Sequence, residues 1–253
     1  MSVPRSRVRL EDASAWVFNR MAGEYDARPP YPAPLLDALA ELVPAKGRVV
    51  DVGAGTGHVA LPLAERGLRV TAIDPALAML QQLARRAQVL GVSLPIVHAM
   101  AETLPLPDSS FEVAIVADAM HFLNVERAAP ELARVLTQQG ALAIVTCEFA
   151  DTPFMCAVAQ VMAECAPRRP RALLPSIVQL AAVVGAQLSQ PRRFDDATPV
   201  DPLRLEAILR SISFIGPAMN EQRFEAFRTR IHGLSERPNW ARTFTLFEAR
   251  RAR

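Results

Sequence analysis

Five short runs of branched and apolar residues alternate with segments of helical spacing between residues 48 and 147. The runs are Arg48–Val52, Arg69–Ile73, Leu94–His98, Phe111–Ala117 and Ala141–Cys147, and the helical segments include His58–Arg66, Ala76–Leu90 and Asn124–Leu136. Strands that alternate with helices in this way are typical of βαβ units, which build a parallel sheet. Because the runs show little polar alternation, we expect both faces of that sheet to be covered.

The flanking segments add helices and two further strands. Leu35–Val43 has helical spacing, and so do residues 151–188 and 201–235. Arg192–Thr198 is predicted to be a strand between the last two. Arg242–Arg250 alternates in polarity and is predicted to be a final, antiparallel strand.

These patterns predict an α/β fold with a doubly wound sheet of seven strands, mostly parallel, an antiparallel C-terminal strand and a helical cap. The predicted boundaries are 1–45 for an N-terminal helical lid, 46–150 for the core, 151–235 for cap insertions around the strand near 192–198, and 240–253 for the last core strand. In open α/β sheets the ligand lies beyond the carboxyl ends of the strands, and the cap is predicted to cover that edge.

The composition argues against several classes of protein. Of 253 residues, 51% are hydrophobic and 21% are charged, as in a globular chain rather than a disordered one. The net charge of +2 does not favour nucleic acid as a partner. The most apolar stretch, 172–188, is interrupted by polar residues and short for a bilayer span, so we expect no stable membrane insertion. No apolar signal segment is visible, and Cys147, Cys156 and Cys165 match no zinc or redox spacing, which predicts a reducing cytoplasm and no metal.

A glycine cluster directly follows the first predicted strand, with glycine at 53, 55 and 57. A dinucleotide fingerprint would also need glycine at position 58, which is His58. Asp51 lies two residues before the first glycine, where its carboxylate would repel a pyrophosphate but accept hydrogen bonds from an ammonium group or a water. The loop therefore favours a ligand with a positively charged, amino-acid-like end.

Carboxylates also follow the second and third predicted strands. Asp74 closes the second strand, where a carboxylate can accept hydrogen bonds from both hydroxyls of a ribose. The alternative for Asp74 is a solvated turn residue before Pro75. Glu102 follows the third strand, and both binding of an exocyclic amine and capping of the loop are consistent with its position.

Four ordered motifs resemble those of class I S-adenosylmethionine-dependent methyltransferases. They are VVDVGAGTGHVA, VTAIDPALAML, AETLPLPDSSFEVAIVADAMHF and the earlier YDARPPYP, which together cover roughly residues 16–147. The chain is most similar to the small-molecule branch that includes ubiquinone, menaquinone and trans-aconitate-type enzymes. The resemblance implies a Rossmann-like fold and S-adenosylmethionine as cofactor, with S-adenosylhomocysteine as product.

The resemblance also implies roles for individual residues. Asp51 orients the methionine end of the cofactor and Asp74 takes the ribose hydroxyls, while Tyr25 and Arg28 match a lid that covers the sulfonium and can pair with the carboxylate. The other implied contacts are Gly53, Gly55 and Gly57 in the loop, Pro75 after the second strand, Ala101 and Glu102 at the adenine, and Asp118 and Ala119 beside the methionine moiety. Met100 stands where many relatives carry an aspartate, which leaves the adenine amine to main chain or Glu102.

Methyl transfer from a sulfonium needs alignment and desolvation rather than a covalent nucleophile. An acceptor that must lose a proton needs a base, and His121, just past the fourth strand, is the candidate. The alternative for His121 is a packing role. The predicted acceptor pocket contains Phe122, Phe149, Phe154, Met155, Phe214, His232 and Trp240.

The sequence thus predicts an enzyme that transfers a methyl group to an oxygen, nitrogen or carbon atom of a small molecule. One alternative is a protein that binds S-adenosylmethionine without methylating, as a regulator or a pericyclase-like catalyst. A nicotinamide-dependent oxidoreductase is disfavoured by the glycine spacing and Asp51, and methylation of a protein is a minority option. The arginine-rich composition, with Lys46 as the only lysine, is associated with a high-GC bacterium and secondary metabolism.

Overall fold

The computed structural model describes residues 17–167, 172–236 and 238–251, and its central element is a mixed β-sheet. The strands are β1 (Arg48–Val52), β2 (Arg69–Asp74), β3 (Ile96–His98), β4 (Phe111–Ala117), β5 (Leu136–Phe149), β6 (Ala186–Leu188), β7 (Arg192–Pro199) and β8 (Asn239–Arg251). Their order is β3-β2-β1-β4-β5-β8-β6, and β7 also pairs with β8. The first five strands are parallel, and β8 is antiparallel to β5.

Helices cover both faces of the sheet. They are α1 (Val17–Tyr25), α2 (Ala33–Glu41), α3 (Ala60–Glu65), α4 (Leu77–Leu90), α5 (Val125–Val135), α6 (Pro153–Cys165), α7 (Leu174–Val184), α8 (Pro202–Arg210) and α9 (Glu221–His232). Val49 of β1 packs in one core cluster with α2, α3 and α4, whereas Val50 points to the opposite cluster with α5 and α7. The predicted doubly wound α/β fold is confirmed. No helix in the described ranges is long and apolar enough to cross a membrane.

The strand order reverses at β1, which lies between β2 and β4. Asp51 of β1 is in register with Ala72 of β2 on one side and with Ile115 of β4 on the other. The chain leaves β1 and β4 in opposite directions across the sheet, and a crevice therefore forms at their carboxyl ends. Ligands of open α/β sheets bind at such a switch point.

The outer edge of β8 carries one interrupted strand rather than two separate ones. Leu188 of β6 pairs with Ala249, and Arg192 of β7 pairs with Leu246. Four residue steps on the edge thus oppose three steps on β8, which is the geometry of a one-residue bulge. Pro191 lies in this bulge and has no N–H to donate to the ladder. Eight strand segments therefore fill the seven predicted positions.

The predicted cap over 151–235 is divided in the structure. Ile177 and Leu180 of α7 are buried against α5 in the sheet core, and β6 pairs with β8, so 174–188 belongs to the core and its assignment to the cap was wrong. Helices α6, α8 and α9 form a separate apolar cluster with Trp240, at the carboxyl edge of the parallel strands. The spacing of apolar residues shows which face of a helix is buried, but it does not show which neighbouring element covers that face.

The predicted N-terminal lid is also divided. Residues 1–16, including the predicted start of this unit, lie outside the described residues. In α1, Met21 packs with Met79, and the side chain of Asn19 accepts a hydrogen bond from the Ala78 N–H at 2.9 Å. Leu35 and Leu39 of α2 instead pack beneath the sheet. Of the predicted lid, α1 and the segment between α1 and α2, residues 26–32, here called the proline-rich segment, lie at the carboxyl edge.

Candidate active site

Two adjoining cavities open beyond the carboxyl ends of β1 and β4. The smaller, of about 70 Å³, extends toward the ends of β2 and β3, and the larger, of about 280 Å³, extends toward α8 and the start of β8. Both are lined by Phe18, Tyr25, Gly53, Gly55, Ala117, Asp118 and Phe122. Residues on this shared wall can contact two molecules that meet there.

The glycine loop forms the floor between the cavities. Gly53 has a φ of +78°, and a Cβ at this position would come within 2.6 Å of the Ala119 Cβ. Gly55 has a φ of +55° and nothing nearer than the Tyr25 ring, at 3.8 Å. Gly57 lines neither cavity, because it packs against Leu61 within the fold. Gly53 and Gly57 are therefore required by packing, whereas Gly55 leaves open space beside the Tyr25 ring.

Asp51 is buried at the end of β1 with an oxygen in need of a donor. Its side chain lines the larger cavity, the residue is 1% exposed, and Oδ2 has no hydrogen-bond partner among the described residues. Burial, reinforced by the nearby Asp74 carboxylate, raises the pKa of Asp51 to about 7. An unpaired buried carboxylate is costly, and a cationic donor in the cavity would remove that cost.

Asp74 joins β2 to the glycine loop. Its Oδ2 accepts a hydrogen bond from the Gly55 N–H at 2.9 Å, and Oδ1 accepts one from Ala76 N–H at 2.7 Å. Burial raises the pKa of Asp74 to about 6, against the lowering effect of these two bonds. The alternative of a solvated turn residue does not describe this buried side chain. Each oxygen retains acceptor capacity toward the smaller cavity, which Asp74 lines with Pro75.

Glu102 has a partner in the start of α5. Its Oε1 accepts a hydrogen bond from the backbone N–H of Asn124 at 2.7 Å, and Asn124 precedes the first residue of that helix. Glu102 also lines the smaller cavity, together with Met100 and Ala101. This hydrogen bond supports the capping interpretation of Glu102. Because Glu102 also lines the smaller cavity, binding of an exocyclic amine stays a prediction.

Tyr25 and Arg28 cover the larger cavity from the N-terminal side. The Arg28 guanidinium lies over the Tyr25 ring at 4.2 Å and donates to its hydroxyl at 3.2 Å. It also donates through Nε to Ser211 Oγ at 2.9 Å and through Nη2 to the Ser211 carbonyl at 2.8 Å. The buried Ser211, which follows α8, thus fixes the orientation of Arg28. Sequence reasoning missed Ser211, since nothing local distinguishes it.

Arg242 is a second arginine at this site, it is buried, and it was also missed. It forms an ion pair with Asp196 and donates hydrogen bonds to the carbonyls of Pro29 at 3.0 Å and Pro30 at 2.7 Å. These bonds tie the proline-rich segment to β8. Asp196 and Arg242 are direct partners in the β7–β8 register, so only knowledge of that pairing could have revealed them.

Asp118 follows β4 on the wall shared by both cavities. Its φ is +49°, an unusual value for a residue other than glycine, and its N–H donates to the Val145 carbonyl at 2.8 Å. Burial raises the pKa of Asp118 to about 6, with Arg28 and Arg242 acting in the opposite direction. The side chain is therefore poised to exchange a proton near neutral pH.

Comparison with known proteins gives a consistent result. Residues 50–144 match the family described as methyltransferase domain. An uncharacterised methyltransferase of Mycobacterium tuberculosis is 42% identical over 132 residues, which are 51% of this chain and 51% of that protein. Demethylmenaquinone methyltransferase of Thermus thermophilus is 37% identical over 112 residues, 43% of this chain and 50% of that protein. Residues 50–144 form a methyltransferase domain.

The chain spans about half the length of the curated relatives that it matches. The structure of YcgJ from Bacillus subtilis superposes with a TM-score of 0.60 at 19% identity, covering 86% of this chain and 98% of that one. This likeness shows that the fold extends well beyond the matched region. The predicted class I S-adenosylmethionine-dependent family is confirmed for the methyltransferase domain, and the nicotinamide-dependent alternative is not favoured.

Elements outside the methyltransferase domain complete the wall of the larger cavity. Phe149, Phe214 and Trp240 line it from the cap side, and the rings of Phe149 and Trp240 meet edge to face at 5.3 Å. Phe122 lines both cavities, and the ring of His121 lies 3.9 Å from that of Phe122, with His121 lining the larger cavity only.

Three residues predicted for the acceptor pocket line neither cavity. Met155 is fully buried in the cap cluster, and Phe154 packs against the same cluster. His232 ends α9, where its Nε2 is buried within the cap. The assignment of Phe154, Met155 and His232 to the pocket was therefore wrong, because the apolar faces of α6 and α9 pack against neighbouring helices.

Proposed function

We propose that this chain transfers a methyl group from S-adenosylmethionine to a small-molecule acceptor. The observation that carries the proposal is Asp51, a buried carboxylate whose Oδ2 has no hydrogen-bond partner among the described residues and which lines a cavity beside the glycine loop of a methyltransferase domain. When bound, S-adenosylmethionine supplies a methyl group on a sulfonium, which leaves in an in-line displacement with the C–S electron pair remaining on sulfur. The α-ammonium of the same molecule supplies the donor that Asp51 lacks.

The remaining polar groups fit the other parts of that ligand. Arg28 presents a guanidinium, fixed by Ser211, for the ligand carboxylate. Asp74 holds the loop and retains acceptor capacity for ribose hydroxyls. Ala101 and Glu102 line the smaller cavity where the adenine is proposed to bind. Gly53 lines both cavities, and it must be glycine because its φ is +78° and any side chain there would meet Ala119.

The cavity walls provide alignment and exclusion of water. The larger cavity is enclosed by α1, the proline-rich segment and the cap, with Phe149, Phe214 and Trp240 on the acceptor side. Desolvation favours transfer because the positive charge on sulfur is lost or dispersed as the methyl group leaves. A volume of about 280 Å³ suits a small acceptor rather than a folded polymer. His121 lines this cavity and is the predicted base.

The test is a calorimetric titration of the protein with S-adenosylhomocysteine, with NADH in a parallel cell. We expect a micromolar Kd for the former, about −8 kcal/mol, and no binding of NADH. Absence of S-adenosylhomocysteine binding would overturn the proposal. A screen of small molecules for the mass gain of one CH₂ group then separates an enzyme from a protein that binds the ligand without methylating.

A further inference from the structure

The resemblance places Asp118 beside the methionine moiety of the cofactor, and its position in the structure also brings it next to the acceptor side of the site. It lies on the wall common to both cavities, at the junction where a methyl donor and an acceptor would meet. Its left-handed backbone is held by the hydrogen bond to Val145. Strained conformations of residues other than glycine persist where surrounding structure enforces them, and they are frequent at functional sites.

The two arginines near Asp118 form hydrogen bonds or ion pairs with other groups. Arg242 is paired with Asp196 and bonded to two proline carbonyls, and Arg28 is held by Ser211. Within the described part of the chain, the Asp118 carboxylate forms no ion pair and no side-chain hydrogen bond. If Asp51 takes the ligand ammonium and Arg28 its carboxylate, Asp118 is the acidic group left for the acceptor.

Besides Arg28, Arg242, Asp51 and His121, the titratable groups that line the larger cavity with Asp118 are uncharged at neutral pH. Burial raises the pKa of Tyr25 and of Tyr31, and it raises the pKa of the Cys147 thiol to about 12. Burial, with nearby arginines, lowers the pKa of His58 to about 3. The Asp118 carboxylate therefore lines a cavity in which Arg28 and Arg242 are positively charged and several of the other side chains are aromatic.

We propose that Asp118 is a catalytic residue that accepts a hydrogen bond, and then the proton, from a neutral O–H or N–H group carried on an aromatic ring of the acceptor. This inference rests on the proposed function. The proton passes to the Asp118 carboxylate, the lone pair of the acceptor atom forms a bond to the methyl carbon, and the C–S pair stays on sulfur. An anionic acceptor would be repelled by the same carboxylate. His121 lines only the larger cavity, whereas Asp118 lies where the two cavities meet.

The experiment measures binding of probe compounds to the protein saturated with S-adenosylhomocysteine, so that no turnover occurs. The matched pairs are 2-naphthol with 2-methoxynaphthalene, and indole with 1-methylindole; one member of each pair has lost its donor hydrogen. 2-Naphthoate tests an anion. We expect the wild-type protein to prefer the donor in at least one pair by about tenfold, as a hydrogen bond to a charged group provides. Preference in the naphthol pair indicates an oxygen acceptor, and preference in the indole pair a nitrogen acceptor.

Asp118→Gly removes the carboxylate but accepts the positive φ, and Asp118→Asn also tolerates it, so both variants are expected to fold. The preference should fall below threefold in Asp118→Gly and persist in Asp37→Asn, a control at an exposed carboxylate of α2. Equal affinities within both pairs in the wild type, a preference kept by Asp118→Gly, tightest binding of 2-naphthoate, or no binding of any probe would each overturn the proposal. Failure to bind S-adenosylhomocysteine would instead overturn the proposed function, and this inference with it.

Discussion

The carboxylate of Asp74 accepts a hydrogen bond from the backbone N–H of Gly55 at 2.9 Å, linking the end of β2 to the glycine loop that follows β1. The same side chain faces the smaller cavity. One residue thus shapes the loop and presents an acceptor to the proposed ribose. Loss of this side chain is expected to affect both roles.

The first prediction concerns Asp74→Ala. We expect the affinity for S-adenosylhomocysteine to fall by about 1–3 kcal/mol, because hydrogen bonds to a charged carboxylate are lost. Calorimetric titration measures the change, and Asp37→Asn on the surface of α2 is the control, with an expected Kd equal to that of the wild type. Unchanged affinity of Asp74→Ala would remove the ribose assignment.

Much of this arrangement could be predicted from local sequence. β1 and β4 occupy the predicted ranges, because short apolar runs bounded by turn residues are typical of buried strands. The positions of Asp51 and Asp74 at the carboxyl edge follow once those strands are known to be parallel. Such inferences need only the alternation of strands and helices along the chain.

The contacts that join distant segments could not be predicted in this way. Arg28 meets Ser211 across 183 positions, and Arg242 meets Asp196 only because β7 and β8 pair in a particular register. Neither partner has a local pattern that distinguishes it from other polar residues. Packing partners of amphipathic helices are equally hidden, which is why α7 was placed in the cap.

The second prediction concerns the link between Ser211 and Arg28. Ser211→Ala removes one acceptor of the guanidinium, so Arg28 should be held less firmly and the affinity for S-adenosylhomocysteine should fall by about 1 kcal/mol. The Ser211 hydroxyl donates to the Ile208 carbonyl. Ser189→Ala is the matched control, because the Ser189 hydroxyl likewise donates to a carbonyl, that of Glu248 near the distant bulge. A lower Tm in Ser211→Ala without a change in Kd would indicate a purely structural role.

The third prediction concerns the pH dependence of ligand binding. Asp51 must be ionised to pair with an ammonium group, and burial raises its pKa to about 7 in the absence of ligand. Affinity for S-adenosylhomocysteine should therefore weaken as the pH falls below about 7, by at most about tenfold per pH unit for one proton. Titrations below and above this pH measure the slope. In Asp51→Asn the affinity should be weaker, and this contribution to the slope should vanish; a slope unchanged by the substitution would contradict the assignment.

The Asp51 carboxylate also affects the stability of the unliganded protein, with a pH dependence opposite in sign to its effect on ligand affinity. Its pKa in the folded chain exceeds the ordinary value of 3.8, so the folded state binds more protons than the unfolded state between about pH 4 and 7. This contribution therefore decreases as the pH rises through that window and is level above it. Asp74 and Asp118, whose pKa values are also raised by burial, act in the same direction. Urea unfolding of the unliganded protein across this range should show a smaller decrease in Asp51→Asn than in the wild type.

The last prediction tests the placement of α7 in the sheet core. Leu180 is completely buried between α5 and the sheet, whereas Val178 on the same helix is 49% exposed. Leu180→Ala should lower the free energy of unfolding by about 2–5 kcal/mol, since it leaves a cavity in a packed interior. Val178→Ala should change it by less than about 0.5 kcal/mol, as is usual for surface substitutions. Denaturant unfolding of both variants gives the comparison. Small and similar losses of unfolding free energy in both variants would contradict this placement, because they are expected of a helix that can detach from the sheet without cost. A large loss confined to Leu180→Ala is expected of a helix that covers the face of a doubly wound fold.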